Sequence, residues 1–150
     1  MTTQQQPQQT TRHLRLCIFG THPQQYNGYA KVVYELIREM SRMHNSVQVF
    51  VFGFQNLQNV EKPRYDDIPS NVTIYDAFAD ETPKKQGFGI ELVKNYVSLS
   101  DPDVVVIYND LHIISLVLNE LKDVPNRRFK IITYIDQVYM SQNIAYIDFV

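Results

Sequence analysis

The chain has 150 residues, with 14 Lys+Arg against 16 Asp+Glu and a formal charge of −2, a near-balance that argues against a general nucleic-acid binder. With 44% hydrophobic and 20% charged residues it falls in the globular range, outside the polar, highly charged class that stays disordered, and its length allows one domain with a real core. One cysteine, Cys17, excludes an intrachain disulfide framework and leaves a cysteine-type zinc site short of ligands.

Residues 1–12 are rich in Gln and Thr and contain no apolar stretch, so they read as a disordered tail rather than a secretory signal or membrane anchor. No later apolar run approaches the roughly 20 residues that span a bilayer. No transmembrane segment is expected, and a lone reduced cysteine suits a cytoplasmic protein. The sequon Asn71-Val72-Thr73 is then expected to go unused. The 10 Tyr and 8 Phe, with no Trp, suit a β-rich core with hydroxyls at its edges.

From residue 13 onward, apolar runs of strand length alternate with segments of helical period. The first strand is Arg15–Phe19, containing Cys17 as a small buried hydrophobe, and it breaks at Gly20 into a polar loop that ends in Asn27-Gly28. Val33, Leu36, Ile37 and Met40 then recur at helical spacing, giving an amphipathic helix of roughly Tyr29 to Met43. Its other face, Lys31, Glu35, Arg38, Glu39 and Arg42, mixes signs as a solvated surface does. His44 follows the helix, where dipole compensation accounts for it. Val47–Phe54 is nearly continuous Val and Phe, the pattern of a strand buried on both faces.

Gln55–Asn71, with Pro63 and Pro69, has no helical period and is longer than most connections. Val72–Tyr75 is a short third strand, and Asp76–Gly87 reads as irregular. Leu92, Val93, Tyr96 and Val97 support a second helix, stopped by Asp101-Pro102-Asp103. Val104–Tyr108 is the strongest buried-strand signal and is expected to be central. Asp110 suits the N-cap of a third helix bearing Ile114, Val117, Leu118 and Leu121, which ends at Val124-Pro125 before a fifth strand, Phe129–Ile135. The remaining residues are apolar at Val138, Tyr139, Ile144, Tyr146, Ile147 and Phe149 and suit the start of another helix.

This order specifies an α/β protein with an open, doubly wound, mainly parallel Rossmann-like sheet of about five strands and three or four helices. Such sheets bind ligands beyond the carboxyl ends of their strands, at the switch point. That directs attention to Gly20–Gly28, Asn109–His112 and Asp136–Met140. The first loop has only Gly20 and Gly28 where G-x-G-x-x-G would be needed, and Tyr29-Ala30-Lys31 follows Gly28 where a phosphate-cradling loop would carry Lys-Ser or Lys-Thr. Dinucleotide and P-loop readings therefore fail. What survives is a glycine-terminated loop feeding a helix N-terminus, where free N–H groups favour an anion; a simple turn and cap formed by Asn27-Gly28 is the competing reading. The histidines lack the i, i+4 spacing of a metal pair, and no metal is expected.

The stretch Tyr26-Asn27-Gly28-Tyr29-Ala30-Lys31-Val32-Val33-Tyr34-Glu35-Leu36 resembles the opening of the N-terminal domain of retaining GT-B glycosyltransferases, a loop ending in Gly-Gly followed by a helix x-x-Arg-Val-Val-x-x-Leu. Asn27 replaces the first glycine, and Lys31 stands at the basic position. Val47–Phe54 looks like the second strand that follows G-H-x-V in that family. Asp101 to Asp110 looks like x-P-D-V-V-H-x-H-D, and Phe129–Asp136 like P-V-V-x-T-x-H-D with Thr133 and Asp136 in register. Two family histidines are replaced, by Asn109 and Ile135. The likeness covers roughly residues 15–136, and its specificity lies in the order of the motifs.

The resemblance implies the acceptor-side, N-terminal half of a GT-B fold, incomplete at its C-terminus and inactive alone, with a nucleotide-diphosphate sugar as donor substrate and a sugar or glycan as acceptor. It implies no separate cofactor, because such enzymes neutralise the leaving diphosphate with side chains and helix termini. Asn27, Gly28 and Lys31 would form the donor phosphate loop, and Asp136 would be catalytic by holding the acceptor hydroxyl. His22, Tyr26, Asn109, Asp110, His112 and Gln137 are the acceptor-binding candidates from the switch-point loops. The second, donor-binding domain is expected in the same chain or a separate one. A subunit of a split transferase and a non-enzymatic α/β binding module are the alternatives.

Overall fold

A computed structural model describes residues 12–43, 45–57 and 63–136; the expected tail up to residue 11, His44 and the apolar segment 137–150 lie outside the described residues. The elements are β1 (Leu14–Thr21), α1 (Gly28–Ser41), β2 (Val47–Phe54), β3 (Val72–Asp76), α2 (Ala77–Asp80), a 3-10 turn at Ile90–Leu92, α3 (Val93–Ser100), β4 (Val104–Asn109), α4 (Leu111–Lys122) and β5 (Lys130–Ile135). The five strands form one sheet in the order β3-β2-β1-β4-β5, and every pairing is parallel. The chain is an α/β protein of Rossmann-like arrangement, doubly wound about β1.

Strand periodicity divides the apolar residues into two layers. Leu16, Ile18, Val49, Val51 and Val106 face α1, where they meet Val33 and Ile37. On the other face, Cys17, Phe19, Phe52, Phe54, Val105 and Ile107 pack with Val93 and Val97 of α3 and with Ile114, Val117 and Leu121 of α4. Phe19, Phe52 and Tyr96 form an aromatic cluster on this side, with Phe52 5.1 Å from both other rings. Burial of Tyr96 is compensated by its hydroxyl, which donates to the Val51 carbonyl oxygen at 3.1 Å.

Three details differ from the sequence expectation. The first strand does not end at Gly20, because Gly20 pairs with Gly53 and Thr21 with Phe54. Glycine is needed there for close packing: an added Cβ would stand 2.6 Å from Val33 Cγ2. The irregular segment after β3 contains the four-residue α2, capped by Asp76, whose carboxylate accepts from Ala79 N at 3.1 Å. β4 is an interior strand between β1 and β5, but β1 holds the middle of the order; a continuous apolar run reports burial on both faces, not position in the sheet.

The Asn71 amide nitrogen, the atom that N-glycosylation would modify, donates to the carbonyl oxygens of Ser41 and Val47 at 3.2 and 3.1 Å. No described helix is long and apolar enough to cross a membrane.

Gly20→Ala is expected to lower unfolding free energy by about 1–3 kcal/mol through overpacking against Val33. Gly28→Ala, whose Cβ meets nothing within 4 Å, should stay within about 1 kcal/mol of the parent. Urea titrations of the two variants check the contrast.

Candidate functional site

The winding reverses at β1, so its exit and that of β4 lead to helices on opposite faces and leave a crevice at the carboxyl edge. Each helix begins there on a side-chain cap. Asn27 Oδ1 accepts from Ala30 N at 2.8 Å at the head of α1, and Asp110 Oδ1 accepts from Ile113 N at 3.0 Å at the head of α4. Both expected caps are present, and both are the ordinary solution to orphan helix N–H groups.

Gly28 is the first residue of α1 and is exposed. It differs from the other glycines. At Gly20 and Gly53 a Cβ would collide with Val33 and His22, and Gly87 and Gly89 adopt positive φ. At Gly28 neither reason applies, so nothing among the described residues demands glycine there. Lys31 is exposed one turn further along.

Asp136 follows β5, and its N–H donates to the Asn109 carbonyl oxygen at 3.0 Å, extending the β4–β5 ladder. The Asp136 carboxylate acts electrostatically on the Tyr29 hydroxyl in the first turn of α1. Tyr29, next to Gly28, lies 5.5 Å ring to ring from Tyr108 on β4, which in turn lies 4.7 Å from Tyr134 on β5, so the head of α1 stands over the ends of these two strands. Burial, then the Asp136 charge, raise the pKa of Tyr29; the same causes push that of Tyr108 up to about 12. Both hydroxyls stay protonated at neutral pH and remain donors.

The other expected residues are distributed unevenly. Tyr26 is 64% exposed. His112 is exposed in the first turn of α4. Asn109 is buried, and its Oδ1 accepts from Asp110 N at 2.9 Å, so it shapes the turn into α4. His22 is also buried, packed on Gly53, with Nδ1 accepting from Gln24 N at 3.3 Å. Burial lowers its pKa and outweighs the opposing influence of Asp76, which keeps the ring neutral. Gln137 lies outside the described residues. Among the described residues no group of three or more His, Cys, Asp or Glu side chains is placed to hold a metal ion.

Sequence reasoning missed Arg64. The segment after Pro63 folds back over the β1–α1 loop because Gln24 exchanges two hydrogen bonds with the Tyr65 backbone, at 2.7 and 3.0 Å, and Tyr65 stacks on Tyr34 at 3.5 Å. Arg64 Nη1 is thereby aimed at the carbonyl oxygens of Gln25 and Asn27, and its guanidinium lies 5.4 Å from the Tyr26 ring centre. It brings a positive charge to the same loop as the α1 N-terminus. Its only sequence signal was the unusual length of the loop.

No protein-family model matches this chain, and no curated protein matches it.

At the edge of the carboxyl end, Glu81 is buried and accepts from the N–H groups of Lys85, Gly87 and Gly89 at 2.9, 2.9 and 3.2 Å. Burial works to raise its carboxyl, but these amide donors outweigh it and hold the pKa below 4.5. The ionised form is therefore favoured in the fold, and its contribution is present above the ordinary carboxylate value and lost as pH falls through the folded one. Glu81→Gln should cost about 1–3 kcal/mol at pH 7. Urea unfolding of both proteins from pH 7 to pH 3 should show that difference shrinking toward the acid end.

Proposed function

We propose that this chain is the acceptor-side half of a retaining glycosyltransferase of the GT-B type, which works with a second Rossmann-like domain that holds most of a nucleotide-diphosphate sugar. The observation that carries the reading is Gly28: an exposed glycine that the fold does not require, at a helix N-terminus, next to Tyr29, on whose hydroxyl the Asp136 charge acts. A diphosphate approaching that end would meet open N–H groups and the positive end of the helix, with no Cβ in its way.

In this reading the chain supplies two elements of the chemistry. Backbone N–H groups at the head of α1 stabilise charge that develops on the leaving diphosphate. Asp136 accepts a hydrogen bond from the acceptor hydroxyl and orients it toward the sugar. The neutral Tyr29 hydroxyl remains a donor at the same edge, available to a bound hydroxyl or phosphate oxygen. Asn27 and Asp110 act through the helices they cap, and His22 and Asn109 hold the loops from inside. The order of motifs between residues 15 and 136 supports the same assignment.

The test is nucleotide-sugar hydrolysis and transfer by the complete assembly, this chain with its donor domain. Gly28→Val should reduce turnover on the order of 10²-fold, the usual loss for removing one preorganised donor contact, with an unfolding midpoint close to the parent's. Normal turnover in that variant would remove the loop from the site.

A further inference from the structure

The ends of β4 and β5 carry the same three-residue pattern, Tyr108-Asn109-Asp110 and Tyr134-Ile135-Asp136, and the sheet sets the two copies side by side. Tyr108 pairs with Tyr134 in register, Asn109 pairs with Ile135, and the Asp136 N–H continues the ladder to Asn109. Strand alternation puts Asp136, which continues the β5 ladder, on the face of Tyr134, while Asp110 follows Asn109 at the end of β4 as the cap of α4. The Tyr108 and Tyr134 rings are 4.7 Å apart, and Tyr29 of α1 adds a third ring 5.5 Å from Tyr108. Tyr108 is buried and backs the group, whereas Tyr134 is 50% exposed and Ile132, two residues before it, 54%.

We infer that this paired Tyr-x-Asp element, closed by Tyr29, is a binding subsite for a single sugar ring, which lies against Tyr134 with its hydroxyl rim toward Asp110 and Asp136. A pyranose has one face rich in C–H groups, which carry partial positive charge and suit the negative face of an aromatic ring. Its rim consists of hydroxyl donors, which suit carboxylates. Asp110 commits Oδ1 to the α4 cap, but a carboxylate offers about four acceptor sites.

Three rings and two carboxylates would also suit an organic cation. The setting favours a neutral polyol instead, because α1 and α4 both direct their positive N-terminal ends at this edge and offset the two carboxylates. The inference deepens the transferase reading, on which the role of this ring as acceptor rests; the binding event itself is measurable without turnover.

The experiment is an amide chemical-shift titration of the full 150-residue chain with the methyl glycosides of glucose, mannose and galactose, and separately with tetramethylammonium chloride. At least one glycoside should bind with a millimolar dissociation constant, as a single ring does, and shift the amides of Tyr108, Tyr134 and Asp136. Tyr134→Ala and Asp136→Asn should each weaken it at least tenfold. Leu99→Ala, an exposed position on α3, should leave it unchanged, and thermal melts establish that the variants fold. Absence of shifts with all three glycosides overturns the subsite. So does binding of tetramethylammonium at the same amides without glycoside binding. Glycoside binding by the chain, with no donor hydrolysis by the complete assembly, would retain the subsite and sink the transferase reading; turnover unaffected by Tyr134→Ala would do the reverse.

Discussion

Parallel pairing of β1 on both of its edges is the constraint on which the rest of this molecule depends. With β2 on one side and β4 on the other, the chain winds outward in two directions and lays α1 on one face and α3 and α4 on the other. Both faces of the central strands are then sealed: Ile18 and Phe19, on opposite faces of β1, are each fully buried. An interior strand closed in this way has no room for an unpaired polar side chain. Polar chemistry is displaced to where the strands end, and Thr21, His22, Asn109, Asp110 and Asp136 all sit at the last residue of a strand or just beyond it.

Crowding at that edge makes the same groups serve both structure and electrostatics. Asn27 and Asp110 cap two helices whose N-termini point into one crevice, and the helices in turn temper the charge of the carboxylates around them. Asp136 is the exception, since it caps no described helix and its backbone instead continues the β4–β5 ladder. Its position owes nothing to local helix chemistry, so its influence on Tyr29 is a tertiary arrangement. Raised pKa values at Tyr29 and Tyr108 complete the pattern: acceptor oxygens on the aspartates and protonated hydroxyl donors on the tyrosines.

The strands were legible because burial on both faces leaves a continuous apolar run, as in Val47–Phe54, and α1 was legible from the spacing of Val33, Leu36, Ile37 and Met40. The two N-caps were legible for a local reason, since a cap is decided within three residues. Gly20 was misread because glycine ends strands by one mechanism and admits close packing by another, and only the position of Val33 distinguishes them. His22 looked like a loop side chain; Gly53, on a neighbouring strand, provides the space that buries it. Arg64 depends on Tyr65 stacking on Tyr34, a contact between a loop and a helix that no periodicity encodes. The Tyr-x-Asp pair was visible as letters but meaningless until the β4–β5 register placed one copy beside the other.

The exposed face of β5 bears on what the crevice is for. An edge strand with an open apolar face is an aggregation liability that proteins usually reduce by charge or by cover. β5 begins with exposed Lys130, a charge that discourages pairing at one end, yet it leaves Ile132 and Tyr134 open toward the other. Among the described residues, Tyr134 meets the fold through the Tyr108 ring 4.7 Å away, while the opposite face of β5 packs through Ile131 and Ile135. A half-exposed ring is costly as surface and useful as a binding face. Gly28, at the first position of α1, likewise leaves space that a side chain would fill. Gly28 at the head of α1 and Tyr134 at the end of β5 are the two positions on which the proposed binding role rests.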